Sequence, residues 1–106
     1  MMSDSPTADP IPQQDPSDYQ LLLFVAGREP NSALAHQNLK TFCQSELKGR
    51  YQLQVVDVFE DHKLALKHRV LVTPCLVMVS PPPAVMIAGT LRDEEKLRAA
   101  LRVPKE

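Results

Sequence analysis

A run of apolar residues near the start of the chain sets the strongest limit on its fold. Residues 21–26 are three leucines followed by Phe, Val and Ala, and Gly27 ends the run. A short apolar run that ends at a glycine is typical of a strand buried on both faces. We therefore predict a central strand with helices above and below it. The run is far shorter than the ~20 apolar residues of a membrane-spanning helix.

The rest of the chain predicts a β-α-β-α-β-β-α order. Strand, helix and strand in succession require a crossover, so the first two strands should be parallel. The loop between the last two strands is about five residues long, which favours an antiparallel hairpin. This order predicts a single α/β domain with a thioredoxin-like fold. The later strands are predicted at residues 51–58, 75–79 and 85–88, and helices from about residue 31, at 61–68 and at 93–103.

Three local features of the helices can also be predicted. Asn31 or Ser32 is a good N-cap for the first helix. The short second helix should turn Leu64, Ala65 and Leu66 inward. In the last helix, Glu94 and Arg98 are spaced for an ion pair along one face.

The first 18 residues differ in composition from the rest. Four prolines and four aspartates lie there without a Lys or Arg, giving a charge of −4 against +3 for the remainder. Such a segment buries too little apolar surface to offset its ordering entropy. We predict a disordered tail at residues 1–18 and a folded domain at 19–106. The acidic start has no apolar signal segment, so a cytoplasmic protein is expected.

The residues that carry chemistry are few. The loop before the first helix lacks the Cys-x-x-C of redox enzymes, while Cys43 and Cys75 lie in apolar patterns that predict inert packing. We expect no catalytic residue, metal site or cofactor, and Asp57 is predicted to be structural. The charge of +3 on the rest of the chain is too small to favour binding to nucleic acid or to a membrane. Because Cys75 follows Pro74, a thioredoxin-like redox or transferase enzyme remains an alternative.

Prolines lie at two boundaries of the predicted strands in the second half of the chain. Pro74 directly precedes the third strand, where thioredoxin-like folds carry a cis-proline. Pro81, Pro82 and Pro83 separate the last two strands. They predict either a rigid turn or two alternative chain paths separated by slow isomerisation.

Five motifs occur in order along the chain. They are Phe24-Val25-Ala26-Gly27, Pro30-Asn31-Ser32, Tyr51-Gln52-Leu53-Gln54-Val55-Val56-Asp57-Val58, Val72-Thr73-Pro74 and Pro81-Pro82-Pro83. In this order and spacing they resemble the KaiB family of circadian clock proteins, and the resemblance extends from Tyr19 to about Val103. A KaiB-like sensor domain of a histidine kinase is the closest alternative.

The resemblance implies a binding module rather than an enzyme. KaiB-family proteins bind the N-terminal ATPase ring of KaiC, a hexameric autokinase, and the complex engages KaiA while output kinases compete for the same surfaces. The family docks on KaiC mainly through the second strand and adjacent elements. Carried over by position, the partner-binding residues are Tyr51, Gln52 and Gln54.

The family is also metamorphic, with a tetrameric ground-state fold and a monomeric thioredoxin-like fold that differ in the C-terminal half. In the last helix, Ala100 replaces a family glycine and Arg102 replaces a family aspartate. Alanine favours a continuous helix by ~1 kcal/mol, and a cation suits a helix C-terminus. We therefore expect a largely monomeric thioredoxin-like protein with a minor homotetramer. The residues assigned to fold switching are Pro74, Pro81, Pro82, Pro83, Ala100 and Arg102.

Overall fold

A computed structural model describes residues 18–103. The predicted tail at residues 1–18 lies outside this range except for Asp18. Within the described part, no helix is long and apolar enough to cross a bilayer. The strands are β1 (Tyr19–Val25), β2 (Tyr51–Asp57), β3 (Cys75–Ser80) and β4 (Val85–Ala88); the helices are α1 (Pro30–Phe42), which continues as a π-helix over Cys43–Leu47, α2 (His62–Lys67) and α3 (Glu94–Leu101).

The four strands form one sheet in the order β2-β1-β3-β4. The β1–β2 pair is parallel, and β3 is antiparallel to both β1 and β4. The predicted element order, the parallel first pair and the antiparallel hairpin are therefore confirmed. Thr73-Pro74 is cis as predicted, and Ser80-Pro81 and Pro82-Pro83 are cis as well.

The helices cover the two faces of the sheet unequally. On one face α1 and α3 pack over Leu21, Leu23 and Leu76 in the larger core. On the other face α2, only six residues long, packs over a smaller core. Alternation along β1 turns successive side chains to opposite faces, so this strand contributes to both cores, as its apolar run predicts. The smaller core contains Phe24, Val56, Ala65, Cys75 and Val77.

Helix α1 begins at Pro30, at least two residues earlier than a cap at Asn31 or Ser32 would allow. Glu29 is the N-cap, and its side chain accepts hydrogen bonds from the backbone N–H of Ser32 at 3.0 Å and from the Ser32 hydroxyl at 3.2 Å. Pro30 occupies the first turn, where its fixed φ and missing N–H are tolerated. The prediction of Asn31 or Ser32 as the cap is therefore wrong, because Pro30 starts the helix rather than preceding it.

The inner side of α2 is narrower than predicted. Ala65 is buried, but the side chain of Leu66 is 71% exposed. A helix of six residues presents less than two turns to the sheet, so neighbouring positions cannot all face inward. The inward orientation predicted for Leu66 is therefore wrong.

The predicted Glu94–Arg98 pair is replaced by a longer-range one. Arg98 Nη1 donates to Glu46 Oε1 at 2.6 Å and so joins α3 to the π-helix. The guanidinium carbon of Arg98 also lies 5.9 Å from the centre of the Phe42 ring. Both partners are largely shielded from solvent, with 17% and 28% of their side chains exposed. Arg98 therefore finds its carboxylate at this half-buried site rather than at the exposed Glu94 on its own helix.

Helix α3 ends two residues earlier than predicted, and Arg102 lies just beyond it in the left-handed conformation, at φ 57°. The Arg102 N–H donates to Ala99 O and the Val103 N–H to Arg98 O, the pattern of a Schellman cap. The Arg102 guanidinium donates to the carbonyl oxygens of Pro81 at 2.9 Å and Pro83 at 3.3 Å. The placement of Arg102 inside the helix is therefore wrong, and its side chain binds the triple-proline turn instead.

The Glu46–Arg98 pair predicts a stability that depends on pH. The hydrogen bond from Arg98 holds the pKa of Glu46 below its ordinary value. A lowered folded-state pKa adds stability above the unfolded pKa of ~4.3 and loses it as pH falls through the folded value. Glu46→Gln should therefore lower the thermal midpoint at pH 7, with a difference from wild type that shrinks below about pH 4.

Glu94→Gln is the matched control for this prediction, because it removes the carboxylate that sequence spacing assigns to Arg98. Thermal unfolding followed by circular dichroism from pH 3 to pH 7 compares the two variants. If Glu94→Gln lowered the thermal midpoint at pH 7 more than Glu46→Gln did, that result would contradict the pairing seen in the structure.

Candidate functional site

The short helix α2 leaves part of one sheet face uncovered. Next to α2 lies a groove of about 440 Å³ on the outer surface of β1, β2 and β3. Gln20 lies opposite Gln52, and Leu22 opposite Gln54, so these four side chains share one face of the parallel pair. Val79 adds an apolar side chain, 38% exposed, where the β1–β3 register shifts. This open face, which we call the amide groove, is defined by Gln20, Leu22, Gln52, Gln54 and Val79.

Two of the three predicted partner-binding residues lie in the amide groove, and one does not. Gln52 and Gln54 are exposed there. Tyr51 packs, together with Leu53, against the larger core on the opposite face. Strand alternation separates them, so Tyr51 does not share a surface with the two glutamines.

The amide groove is uncharged. Its lining combines the side-chain amides of three glutamines with two aliphatic residues. An amide both donates and accepts hydrogen bonds, so it can pair with the backbone of an approaching segment or with polar side chains. Adjacent apolar surface can bury part of the same segment. Such a lining suits recognition of a protein surface, and it offers no group for acid–base or nucleophilic chemistry.

Sequence patterns did not predict Gln20, Leu22 and Val79 as part of this surface. The first two lie in or beside the apolar run, whose residues were expected to be covered. The only available signal was the short length of the second helix, which limits how much of the sheet it can cover.

The loop that carries the reactive cysteines of a redox enzyme is organised differently in this chain. It contains Gly27 and Glu29, and Asp57 Oδ1 accepts hydrogen bonds from the N–H groups of Gly27 at 3.3 Å and Phe59 at 2.9 Å. Asp57 thereby joins the loops that follow β1 and β2. The structural role predicted for Asp57 is confirmed, with these two amides as its partners.

The cysteines have the environment of packing residues. Cys43 and Cys75 are free and buried, at 0% and 1% exposure. Burial raises the pKa of Cys43 to about 12 and also raises the pKa of Cys75. Reactive cysteines have a lowered pKa and partial exposure, so neither thiol meets the requirements of redox chemistry. In particular, the cis-Pro74 neighbour, Cys75, is not activated.

The cysteine environment predicts slow chemical modification. Because the thiolate is the reactive form, a raised pKa and burial should both slow alkylation of the native protein. Iodoacetamide labelling followed by mass spectrometry at pH 6 to 9 should show both cysteines reacting much more slowly than in the urea-unfolded chain. Fast labelling of Cys75 at pH 6 would instead indicate an activated thiol.

Comparison with known proteins shows which family the chain belongs to. The KaiB domain model matches residues 22–103. The chain is 45% identical over 83 residues to the circadian clock oscillator protein KaiB of Gloeothece citriformis, covering 78% of each chain. It is 42% identical over 83 residues to the circadian clock oscillator protein KaiB1 of Synechocystis, covering 78% of this chain and 79% of the relative.

Solved structures agree with the sequence relatives. The N-terminal domain of Synechococcus elongatus SasA superposes with a TM-score of 0.69 at 27% identity, covering 91% of this chain and 94% of that domain. The Drosophila melanogaster thioredoxin Deadhead superposes with a TM-score of 0.65 at 18% identity, covering 81% and 80%, which shows a shared fold alone. The family match covers both halves of the sheet and the triple-proline turn. The chain is therefore a thioredoxin-like member of the KaiB family of circadian clock proteins.

Proposed function

We propose that this protein is a cytoplasmic clock or timer regulator that binds the N-terminal ATPase ring of a KaiC-like hexameric autokinase and modulates its phosphorylation cycle. The observation that carries the proposal is the family match over residues 22–103. We assign the role to the domain predicted at residues 19–106. The protein acts by binding and is not an enzyme, which is consistent with its two buried, high-pKa thiols.

The amide groove is the surface that we assign to the KaiC-like ring. Gln52 and Gln54 are placed to hydrogen-bond with it, and Leu22 and Val79 give the apolar contact between them. Tyr51 lies on the other face, so its contribution is to position β2 by packing on the larger core. The groove needs no rearrangement of the sheet to accept a partner, since all its members lie on paired strands.

Other clock proteins are candidate partners of the same chain. The likeness to the SasA N-terminal domain supports an output histidine kinase that competes for the ring. A KaiA-like protein is a further candidate, as the family resemblance implies. The bound state therefore acts as a shared platform whose occupancy changes with the phosphorylation state of the ring.

We also propose that this chain favours the thioredoxin-like, monomeric state over a tetrameric alternative. Ala100 lies within the last turn of α3, and Arg102 binds the carbonyl oxygens of Pro81 and Pro83. These contacts link α3 to the turn between β3 and β4. An arrangement in which that turn and α3 separate loses both hydrogen bonds. Pro74 directly precedes β3, the first strand of the C-terminal half, where the family resemblance implies that the two states differ.

Binding to the ring tests the functional proposal. Size-exclusion chromatography with KaiC homologues in both phosphorylation states should shift this protein into the ring fraction in one of the states. Gln52→Asp and Gln54→Asp should each weaken binding by about tenfold or more, because a carboxylate in the interface must lose its hydration.

Gln37→Asp is the matched control, since Gln37 is an exposed glutamine on α1. It should leave affinity unchanged, and all three variants should keep the wild-type circular dichroism spectrum. Failure to bind any KaiC homologue would overturn the proposal. If Gln52→Asp and Gln54→Asp left the affinity for the ring unchanged, the interface would lie on another surface.

The fold-state proposal predicts the effect of restoring the residues that the family carries. Ala100→Gly costs the helix ~1 kcal/mol, and Arg102→Asp removes the guanidinium bonds to the proline turn. The double variant should raise the fraction of tetramer by about tenfold, measured by sedimentation velocity, with NMR secondary shifts reporting on residues 85–88.

Arg102→Gly separates the two roles of that residue. Glycine removes the same side-chain bonds but suits the left-handed backbone, where φ is 57°. Its tetramer fraction should lie between those of the wild type and the double variant. A mostly tetrameric wild type with helical shifts at residues 85–88 would contradict the proposed preference.

A further inference from the structure

Strand β4 forms the edge of the sheet opposite β2. It pairs with β3, and among residues 18–103 no strand pairs with its other edge. Val85–Ala88 contains no charged residue, and the side chain of Met86 is 47% exposed. Natural sheets usually protect an edge with a very short strand, charges, proline, a bulge or a cover, because open edges recruit other strands. Among these, β4 has its length of four residues and the preceding prolines, but no charge. An uncharged edge therefore fits a partner strand.

A basic groove runs beside this edge. It has a volume of about 290 Å³ and lies between the C-terminal turn of α2 and the β3–β4 hairpin. Lys67, His68 and Arg69 form the helix side, while Val77 and Met86 lie on the sheet side. Lys67 and Arg69 are exposed, and no Asp or Glu is among the residues that line the groove. A strand added to β4 would therefore lie next to two uncompensated cations.

The charge pattern disfavours a second copy of this chain as the occupant. Antiparallel pairing of two β4 edges about a twofold axis keeps both α2 helices on the same face of the joined sheet. Lys67 and Arg69 of both copies would then lie on that one face, which gathers four cations beside the seam. Like charges repel, so this arrangement is less favourable than an acidic partner.

We propose that the outer edge of β4 binds an extended acidic segment of a partner protein by strand addition. The backbone of the segment pairs with β4. Its acidic side chains, all on the α2 face, meet Lys67 and Arg69, and its alternate apolar side chains pack beside Val85 on the α3 face. This surface goes beyond the proposed function, because the β4 edge and its basic groove share no lining residue with the amide groove.

The test uses two synthetic peptides added to the full-length protein. In one, glutamate alternates with valine, and in the matched peptide lysine replaces glutamate. NMR titration should show the glutamate peptide shifting the amides of Val85, Met86 and Ile87 and protecting β4 amides from hydrogen exchange. The lysine peptide should bind more weakly, and the difference should shrink with salt, because screening acts over ~8 Å at physiological ionic strength.

Substitutions then assign the binding to this groove. Lys67→Gln combined with Arg69→Asn should weaken the glutamate peptide roughly two- to thirtyfold, the range expected for two exposed ion pairs. Asparagine is chosen because Arg69 has a positive φ of 59°. The matched control removes two exposed charges from the α1 side, Arg28→Gln with Lys40→Gln, and should have no effect.

Met86→Glu places a negative charge on the same face and offsets one of the two cations, so by itself it should narrow the preference between the two peptides. Combined with Lys67→Gln and Arg69→Asn, it should reverse that preference. Unchanged preference in the combined variant, or equal binding of both peptides to the wild type, would overturn the proposal. Shifts at β4 that grow with protein concentration alone would identify a second copy as the occupant and would also overturn it. A failed charge reversal leaves the binding of a KaiC-like ring through β2 unaffected, so the two proposals fail independently.

Discussion

Burial of β1 between two layers is the constraint on which the rest of the structure depends. This strand pairs on one side with β2 and on the other with β3, and its side chains enter both cores. Leu23 and Phe24 are fully buried on opposite faces. Each face must therefore be covered near the middle of β1, and the α1–α3 pair and α2 provide that cover. The edges of the sheet are left to β2 and β4.

The unequal size of the two layers produces the surfaces available for binding. Helix α2 shields Phe24 and Val56 but is too short to reach the start of β1 and β2. The uncovered part becomes the amide groove on one side of α2, and the C-terminal turn of α2 forms the basic wall of a second groove on the other. This thioredoxin-like fold has no Cys-x-x-C motif, and the open sheet face is its surface suited to protein contacts. The proposed function accordingly uses this exposed surface rather than an activated group.

Local sequence patterns predicted the features that depend on neighbours along the chain. The apolar run of β1, the parallel first pair and the hairpin follow from spacing or loop length. The cis bond at Pro74 was expected by analogy with thioredoxin-like folds. Features that depend on distant partners were missed. Arg98 pairs with Glu46 across 52 positions rather than with the adjacent Glu94, and Arg102 reaches back to Pro81. Gln52 and Gln54 were predicted from the sequence as surface residues for a partner. Gln20 and Val79 could not be predicted, because they lie beside those glutamines only after three strands have paired.

The most direct test of the central claim is hydrogen–deuterium exchange of this protein alone and in complex with the N-terminal ATPase ring of a KaiC homologue. The account predicts slower exchange on binding in segments that border the amide groove, namely residues 19–22, 51–55 and 78–80. The α1–α3 face should exchange as it does in the free protein. Protection confined to the α1–α3 face, with unchanged exchange in β2, would contradict the assignment of the open sheet face as the binding surface.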